Sequence, residues 1–384
     1  MSNFNAHSAS EQWRTRPTDQ CFGSVDAALA AATFTMQHSA GQTVPSKSLQ
    51  VDVESSPAER KRLVVVGPSG KPVVPNHWAF GQLCARIGVP AGYMRDIAAN
   101  ELVADCMNEA IARRDVDDIS VLLYQNGGPA ELHAVNGPNY GRIWNARVWE
   151  AIRESFGDGL TGKFKIPSMF VRGGIRQEAV QTELANIKDT TLYSSDRDMW
   201  CMLACDDDVV EVPNRRDGKT GHIYQGVVIG NSDVGAGTLW MARFGFDDFC
   251  YNHMIWGMRN LEEVSLRHTA SAPHRFLSEI IPTLKTIAQE RGSLKQAQVL
   301  AAQAARISDF DKFMASRKFS RSQIGGMKAA YKSDEGAELP QEDGITSASV
   351  WQAVVAATAY ARSLQYTDAR VAIQREAGKM LQAA

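Results

Sequence analysis

The chain has 384 residues, of which 44% are hydrophobic and 22% are charged, and its formal net charge is -2. This composition supports an ordinary globular core and excludes a protein coated in positive charge, while leaving room for a local basic patch. No apolar run approaches the roughly 18 residues that a membrane-spanning helix requires, so we expect no membrane insertion.

Six cysteines are scattered along the chain, and the N-terminal segment before them is polar. A polar start predicts that no signal peptide is present, and thiols stay reduced in a protein that remains in the cytoplasm. We therefore expect a cytoplasmic protein without a disulfide framework. No motif points to a cofactor, so none is predicted.

Residues 1–60 are rich in Ser, Ala, Thr and Gln, a composition that predicts a flexible N-terminal arm with little core of its own. A short helix is expected within this arm, at Val25–Ala32. The β-branched run Leu63–Val66 then opens the predicted α+β core domain, residues 61–265.

The first half of this core is predicted to be helical and then to form a hairpin. Apolar periodicity indicates three helices, at about 77–87, 90–97 and 101–113. Two strand-like runs, Ile119–Tyr124 and Glu131–Val135, flank Asn126-Gly127, and Asn-Gly between two strands is a strong hairpin signal.

The second half of the core is predicted to consist mainly of strands, after one amphipathic helix at Asn145–Phe156. Charged or glycine-rich turns separate the runs of β-branched and aromatic residues. The strands are expected at Phe164–Val171, Thr190–Tyr193, Trp200–Ala204, Ile223–Ile229, Thr238–Phe244 and Phe249–Trp256.

Three segments complete the chain: a basic helical region at 266–332, an acidic linker at 333–345 and C-terminal helices at 346–384. Strands therefore precede helices instead of alternating with them. This order predicts an α+β fold with a largely antiparallel sheet, an N-terminal helical corner and a C-terminal helical region.

The segment Gly157–Lys163 fits the spacing of two glycine-rich phosphate-binding motifs. Such a loop must follow a strand and open a helix, because helix N-terminal amides hold the phosphates. Here a helix precedes the segment and a strand follows it, and Phe164 offers no hydroxyl for a magnesium-bound nucleotide. We interpret the segment as a turn.

Two pairs, Cys201-x3-Cys205 and Cys250-x2-His253, contain residue types that bind zinc. Cys201 and Cys205 would share one face of a strand, whereas Cys250 and His253 would do so only if the strand bends. Free cysteines are also common in cores, so burial is the competing interpretation.

Aspartates cluster in the strand region, and the candidate ligands for a divalent metal are Asp196, Asp198 and Asp233. A metal-dependent nuclease or phosphotransferase needs two or three such carboxylates to converge. Aspartates also favour turns, where they accept hydrogen bonds from backbone amides. No nucleophile motif is present, and we assign no catalytic residue.

The segment Gln82–Ile97 has the spacing of a helix-turn-helix, with Gly88 in the turn. If the second helix entered a major groove of DNA, Ala91, Tyr93 and Arg95 would face outward. A packing corner without DNA contact is the competing interpretation.

Positive charge is concentrated toward the C-terminal part of the chain. Between Arg267 and Lys332, twelve Lys or Arg oppose four acidic residues, a local charge of +8. Cations pair with phosphates and aromatic faces stack on unpaired bases, so this segment is the predicted nucleic-acid contact. The alternative is a solvated helical layer paired with the acidic linker. The candidate contact residues, including two aromatic rings for stacking, are Lys312, Phe313, Arg317, Lys318, Phe319, Arg321 and Lys328.

Several segments in order along the chain carry a family resemblance: Arg16–Phe22, His77–Leu83, Val89–Met94, Asn139–Asn145, Ser195–Met199, Gly230–Gly235, Arg243-Phe244 with Cys250-x-Asn252-His253, and Val350-Trp351 with Ala357–Arg362. On these segments the chain resembles the domain of unknown function 932 family, found in phage, plasmid and prophage genomes. The resemblance implies a mobile-element protein in a bacterial host cell, acting in replication, recombination, host takeover or defence evasion. It assigns no role to any residue.

Three functional hypotheses follow. The first is a non-enzymatic, DNA-associated accessory protein of phage or plasmid type that binds or anneals single strands in recombination or replication. The second is a metal-dependent enzyme that acts on nucleic acid through the aspartate cluster. The third is a homo-oligomeric or partner-binding protein whose basic helices contact protein instead of DNA.

Overall fold

A computed structural model describes residues 16–55, 61–113, 118–171, 174–175, 190–212, 220–247, 255–257, 264–290, 305–333, 348–364 and positions 373, 376, 377, 379 and 380. Within these residues the protein is an α+β fold with mostly antiparallel strands, an N-terminal helical corner and a C-terminal helical region, which confirms the predicted fold class. Two large sheets are present where one core domain was expected, and the first of them also includes two strands from the predicted arm.

The first sheet has six strands in the order β1-β5-β6-β4-β3-β2. They are β1 (Ser39–Val44), β2 (Gln50–Ser55), β3 (Lys61–Val66), β4 (Pro72–Pro75), β5 (Ile119–Tyr124) and β6 (Glu131–Asn136). Every pair is antiparallel except β4 with β6. The predicted hairpin is confirmed, because β5 and β6 pair directly and Gly127 takes φ 67° in the turn.

Residues 25–55 differ from the predicted flexible arm, because they belong to the folded core. Helix α1 (Val25–Gln37) is longer than expected, and it buries Val25 and Ala28. Strand β1 lies at the edge of the sheet with four of its six residues exposed, so its mean composition is polar. The position of a few apolar residues places this stretch in the core, and the mean composition of the segment does not report that position.

Three helices pack on the first sheet, close to their predicted bounds: α2 (His77–Ile87), α3 (Ala91–Asp96) and α4 (Asn100–Arg113). Leu83 and Met107 are fully buried in one apolar cluster with Val121 of β5. Gly88 ends α2 in the left-handed region, at φ 74° and ψ 33°, as the helix-turn-helix spacing predicted.

The second sheet has the order β10-β11-β12-β13-β14, with β7 beside β11 and β15 beside β13. A bulge between Ala204 and Val209 carries β11 past its predicted end, so Asp206–Asp208 lie within a strand instead of a turn. The strands, with the separate pair β8–β9, are β7 (Phe164–Lys165), β8 (Phe170–Val171), β9 (Gly174–Ile175), β10 (Leu192–Ser194), β11 (Met199–Val212), β12 (Gly221–Asn231), β13 (Leu239–Asp247), β14 (Ile255–Gly257) and β15 (Val264–Leu266).

Helices cover one face of the second sheet: α1, α5 (Asn145–Phe156), α6 (Ala272–Arg275), a π-helical turn (Phe276–Ile280) and α7 (Ile281–Gln289). Trp149 and Leu284 are buried there with Leu203. Trp200 and Trp240 belong to a separate buried cluster. Side chains on both faces of β11 are buried at its start, so the strand begins as an almost unbroken apolar run.

The glycine-rich segment Gly157–Lys163 connects α5 to β7, as predicted. Gly157 and Gly159 take φ 91° and 80°, a region that glycine enters without steric cost. The helix precedes the segment and the strand follows it, so the orientation that a phosphate-binding loop requires is not present at this segment.

The C-terminal region builds its own core from α8 (Phe310–Ser316), α9 (Arg321–Ser333) and α10 (Val350–Ser363), beside the short pair β16 (Arg306–Ile307) and β17 (Ala348–Ser349). Trp351 is fully buried in this cluster, which also includes Val210 and Ile223 of the second sheet. The acidic linker beyond residue 333 lies outside the described residues. In the described part of the chain, we find no helix with the length and apolarity to cross a membrane.

Candidate functional site

The predicted nucleic-acid contact centres on residues 317–321, which join α8 to α9 and are called the basic turn below. Lys318 takes φ 69°, and its N–H donates to the Ala315 carbonyl at 2.9 Å. Ser320 and Gln323 form reciprocal side chain–backbone hydrogen bonds that cap the start of α9. The backbone of the basic turn is therefore fixed by both helix ends.

Three cations of the basic turn have no ion-pair partner among the described residues: Arg317, Lys318 and Arg321. Lys318 and Arg321 are exposed and Arg317 is half-exposed. An exposed cation without an internal partner keeps its charge for solvent or for a bound anion. The structure thus brings three of the five predicted cations together in an unpaired state.

The other two predicted cations are paired at the surface. Lys312 lies 3.3 Å from the Asp309 carboxylate, and Lys328 lies 2.6 Å from that of Asp311. Exposed pairs of this kind contribute at most about 1 kcal/mol, so an incoming phosphate could compete for them. Lys328 lies on the same side of α9 as Arg321, about two turns further along.

The two predicted stacking rings are not accessible in the way the sequence suggested. Phe319 is only 9% exposed and belongs to the C-terminal core. Phe313 is half-buried, and the Arg317 guanidinium lies 5.3 Å from its ring centroid. The interleaving of basic and aromatic residues therefore reflects a helix pair that buries rings and exposes cations, which corrects the stacking prediction for Phe319.

The three candidate metal ligands do not form a ligand group among the described residues. Asp233 is 8% exposed, and its carboxylate accepts a hydrogen bond from the Asn145 N–H at 3.2 Å. Asp198 pairs with Arg16 at 2.6 Å, and Asp196 is exposed. The carboxylates of Asp198 and Asp233 are held apart by separate partners, so the structure gives no support to a metal site on these residues.

The described residues do contain one group whose ligand atoms lie within 4.8 Å of one another, formed by Cys205, Asp206 and Asp207 at the β11 bulge. The Lys165 ammonium pairs with Asp206, and the Lys163 ammonium pairs with Asp207. These two ammonium groups supply the positive charge that a metal ion would otherwise supply, so we interpret the group as ion pairs.

The predicted zinc ligands are described only in part. Cys201 and Cys205 lie on one face of β11, as predicted, and both are buried in the cluster beneath α5. Burial raises the pKa of the Cys201 thiol above its ordinary value, which disfavours the thiolate that zinc binds. Cys250 and His253 lie outside the described residues, so their participation stays a prediction.

The helix-turn-helix segment forms a packed corner. Arg95 donates to the His77 carbonyl at 2.8 Å, and its guanidinium lies 5.2 Å from the Phe80 ring centroid. It therefore connects α3 to α2. Tyr93 is 64% exposed and is the large side chain of α3 that stays open to solvent.

A polar region that no sequence motif predicted lies where the turn after β12 meets the first sheet. Its members come from both sheets and their loops, and we call them the polar junction: Asn136, Tyr140, Arg142, Asp233 and His268. The turn is held by the Val234 carbonyl, which accepts hydrogen bonds from Trp78 Nε1 at 3.3 Å, Gln82 Nε2 at 2.7 Å and Asn136 Nδ2 at 3.1 Å.

Arg142 is the central donor of the polar junction. It donates to the Asp233 carbonyl and to Asn136 Oδ1, the latter at 3.3 Å. Its guanidinium also lies 5.3 Å from the Tyr140 ring centroid and 5.4 Å from that of Trp144. Arg142 therefore joins the end of β6 to the turn after β12.

Tyr140 and His268 stack with their ring centroids 5.0 Å apart. The Tyr140 hydroxyl donates to the Ser232 carbonyl at 3.0 Å, and His268 Nδ1 lies 3.2 Å from the Gly141 carbonyl. Position 141 leaves no room for a side chain, because a Cβ there would lie 1.9 Å from the Thr269 carbonyl oxygen. The loops that carry Gly141 and Thr269 therefore pack backbone against backbone.

Burial shifts the proton affinities of the polar junction. It lowers the pKa of His268 to about 4, and it raises the pKa of Asp233 above its ordinary value of 3.8. It also raises the pKa of Tyr140, and burial lowers the pKa of Arg142. The neutral forms of His268 and Asp233 are therefore favoured relative to water.

A cleft of about 480 Å³ opens beside the polar junction. Its lining comes from α2, the end of β6, the following loop and the turn after β12: Gln82, Ala85, Arg86, Val135, Asn136, Gly137, Tyr140 and Gly235. Four of the segments on which the sequence was expected to resemble a known family meet here. They are His77–Leu83, Asn139–Asn145, Ser195–Met199 and Gly230–Gly235.

Comparison with known proteins gave no similarity: no protein-family model, no curated protein and no solved structure matches this chain.

Proposed function

We propose that the chain is a DNA-associated accessory protein that contacts nucleic-acid phosphates through the basic turn. The observation that supports this function is the set of unpaired cations, Arg317, Lys318 and Arg321, on a turn fixed by two helix ends. The chain as a whole carries a net charge of -2, so attraction to a polyanion must come from a local patch of this kind.

The geometry favours contact with phosphates over stacking on bases. Phe319 is buried, and Phe313 is half-buried beneath Arg317. With one ring buried and the other partly covered by a guanidinium, we expect binding to depend mainly on charge and on the release of counterions, with little base preference. We therefore expect both single- and double-stranded DNA to bind, with a steep dependence on salt.

We also propose, from the segments quoted in the sequence analysis alone, that the chain is related to the domain of unknown function 932 family of phages and plasmids; no protein-family model matches the chain. Proteins of phages and plasmids that act in replication or recombination meet DNA in the host cell. A binding protein of this kind would assist such a process without catalysing a reaction, and homo-oligomers would present several basic turns to one strand.

Fluorescence anisotropy with labelled single- and double-stranded DNA across a salt series tests the proposal. The variant to compare is Arg317→Gln/Lys318→Gln/Arg321→Gln. If each cation makes one phosphate contact, its loss flattens the slope of log K against log salt by about 0.7 per contact for single strands, or about 2 in total. Affinity at low salt should fall at the same time.

The control removes three arginines elsewhere on the chain that pair with nearby glutamates, as Arg62→Gln/Arg113→Gln/Arg147→Gln, and so makes the same change in net charge. This control should bind nearly as wild type does. Equal losses in both variants would show that net charge alone attracts DNA. Absence of wild-type binding at low salt would refute the proposed function and favour a protein partner for the basic turn.

A further inference from the structure

We propose that the cleft beside the polar junction is a binding site for a small oxyanion, a phosphate or carboxylate group of a small molecule, and that Arg86 is its anchor. This site is separate from the basic turn, and the proposal does not depend on the proposed DNA binding.

The polar side chains of the cleft wall are already engaged, with Arg86 as the exception. Gln82 bridges the two sheets, since its amide donates to the Val234 carbonyl and accepts from the Val135 N–H at 2.9 Å. Asn136 and Tyr140 are likewise held by the turn after β12. The cleft wall is therefore formed in advance of any ligand, which lowers the entropic cost of binding.

Arg86 is exposed on α2, and it has no hydrogen-bond or ion-pair partner among the described residues. Its guanidinium lies over Gly137: a Cβ built there would be 2.8 Å from Nη2 and 3.3 Å from both Cζ and Nη1. Its N–H donors have no hydrogen-bond partner among the described residues, and a guanidinium of this kind binds an oxyanion through two parallel hydrogen bonds.

Two glycines keep the cleft open. At Gly137 any side chain would displace the Arg86 guanidinium. Gly235 takes φ 87°, and a Cβ there would lie 2.7 Å from Asn136 Nδ2. A larger residue at either position would therefore close the cleft from one side.

The charges that surround the cleft favour an anion. Arg142 donates to Asn136 Oδ1 at 3.3 Å, so a second guanidinium contacts a residue of the cleft lining. The carboxylate of the polar junction, Asp233, is buried, and burial raises its pKa and so disfavours its negative form. The remaining lining, Ala85 and Val135, is small and apolar, and the volume is within the roughly 300–1,000 Å³ of small-molecule sites.

The test is titration of the full-length protein with inorganic phosphate, with succinate and with neutral glycerol, followed by NMR of the arginine Nε–Hε signals. The expected result is a saturable shift of the Arg86 signal with phosphate or succinate and none with glycerol. Arg86→Gln should weaken oxyanion binding about tenfold or more, because a charge-assisted pair is lost. Arg86→Lys should bind with intermediate affinity, since it keeps the charge without the planar fork.

The matched control is Arg147→Gln, which removes an exposed helical arginine on α5 and should bind as wild type does. Gly137→Ala gives a second, independent variant, and it should weaken binding although Arg86 is still present. If no oxyanion shifts the Arg86 signal, the proposal is overturned. If Arg86→Gln abolishes DNA binding as well, the group bound in the cleft is a backbone phosphate of nucleic acid, and a separate small-molecule site is refuted.

Discussion

Arg142 in the polar junction and Arg317 in the basic turn each lie against an aromatic ring, but they differ in their polar contacts. Each guanidinium lies 5.3 Å from a ring centroid, that of Tyr140 for Arg142 and that of Phe313 for Arg317. Arg142 donates to two oxygens of the polar junction, whereas Arg317 has no ion-pair partner among the described residues.

A count of charges along the chain does not separate arginines that hold the fold together from arginines that are free to bind a ligand. An arginine that satisfies internal oxygens holds the fold together, and its removal leaves acceptors without donors. An arginine with unused donors contributes little to folding and keeps its hydrogen-bonding capacity for a ligand. By this criterion Arg142 is structural, while Arg86 and Arg317 are candidates for binding.

The largest difference between the two regions should appear in stability. Arg142→Met should lower the free energy of unfolding by about 2–3 kcal/mol, because the Asp233 carbonyl and Asn136 Oδ1 lose their donor. Arg317→Met should change it by no more than about 0.5 kcal/mol. Urea denaturation measures both, and equal effects in the two variants would contradict the division into structural and binding arginines.

A pH series should distinguish the buried polar junction from the exposed basic turn. The unfolded chain protonates His268 near pH 6.5, whereas the folded protein does so near pH 4. The contribution of this residue to stability is therefore complete above pH 6.5 and is lost as the pH falls toward 4, by up to about 1.4 kcal/mol per pH unit.

The neighbouring Asp233 has a raised pKa, so its contribution to stability changes with pH in the opposite direction. The contribution of His268 is therefore obtained by comparing wild type with a variant that lacks the imidazole. His268→Phe keeps a ring against Tyr140 and removes the titrating group. Urea denaturation of both proteins between pH 7 and 4 should show a shallower acid loss in the variant, and parallel curves would mean that His268 titrates normally.

The smallest expected effect concerns the backbone of the basic turn. Lys318 takes φ 69°, a region that costs a residue with a side chain roughly 1 kcal/mol. Lys318→Gly should therefore raise the free energy of unfolding by about 0.5 kcal/mol, because the greater entropy of unfolded glycine offsets part of the gain. The same variant should weaken DNA binding, and greater stability with unchanged DNA affinity would remove Lys318 from the contact.

Local sequence signals predicted the parts of the fold that local forces determine. The Asn-Gly hairpin, the helix that ends at Gly88 and the amphipathic helix α5 each depend on residues close in sequence. The edge strand β1 was missed because its partner, β5, lies about eighty residues away. No local pattern reports such a pairing, and the polar composition of the segment resembled that of an arm.

By itself, the sequence determined the α+β class, the position of most helices and strands, and the concentration of positive charge toward the C-terminal helices. Only the tertiary structure decided which polar residues are free. It placed Phe319 in a core, separated the candidate aspartates, and left Arg86 unpaired beside a cleft. The physical reason is that burial and hydrogen-bond partnership are properties of distant segments brought together, as the turn after β12 is brought to the first sheet.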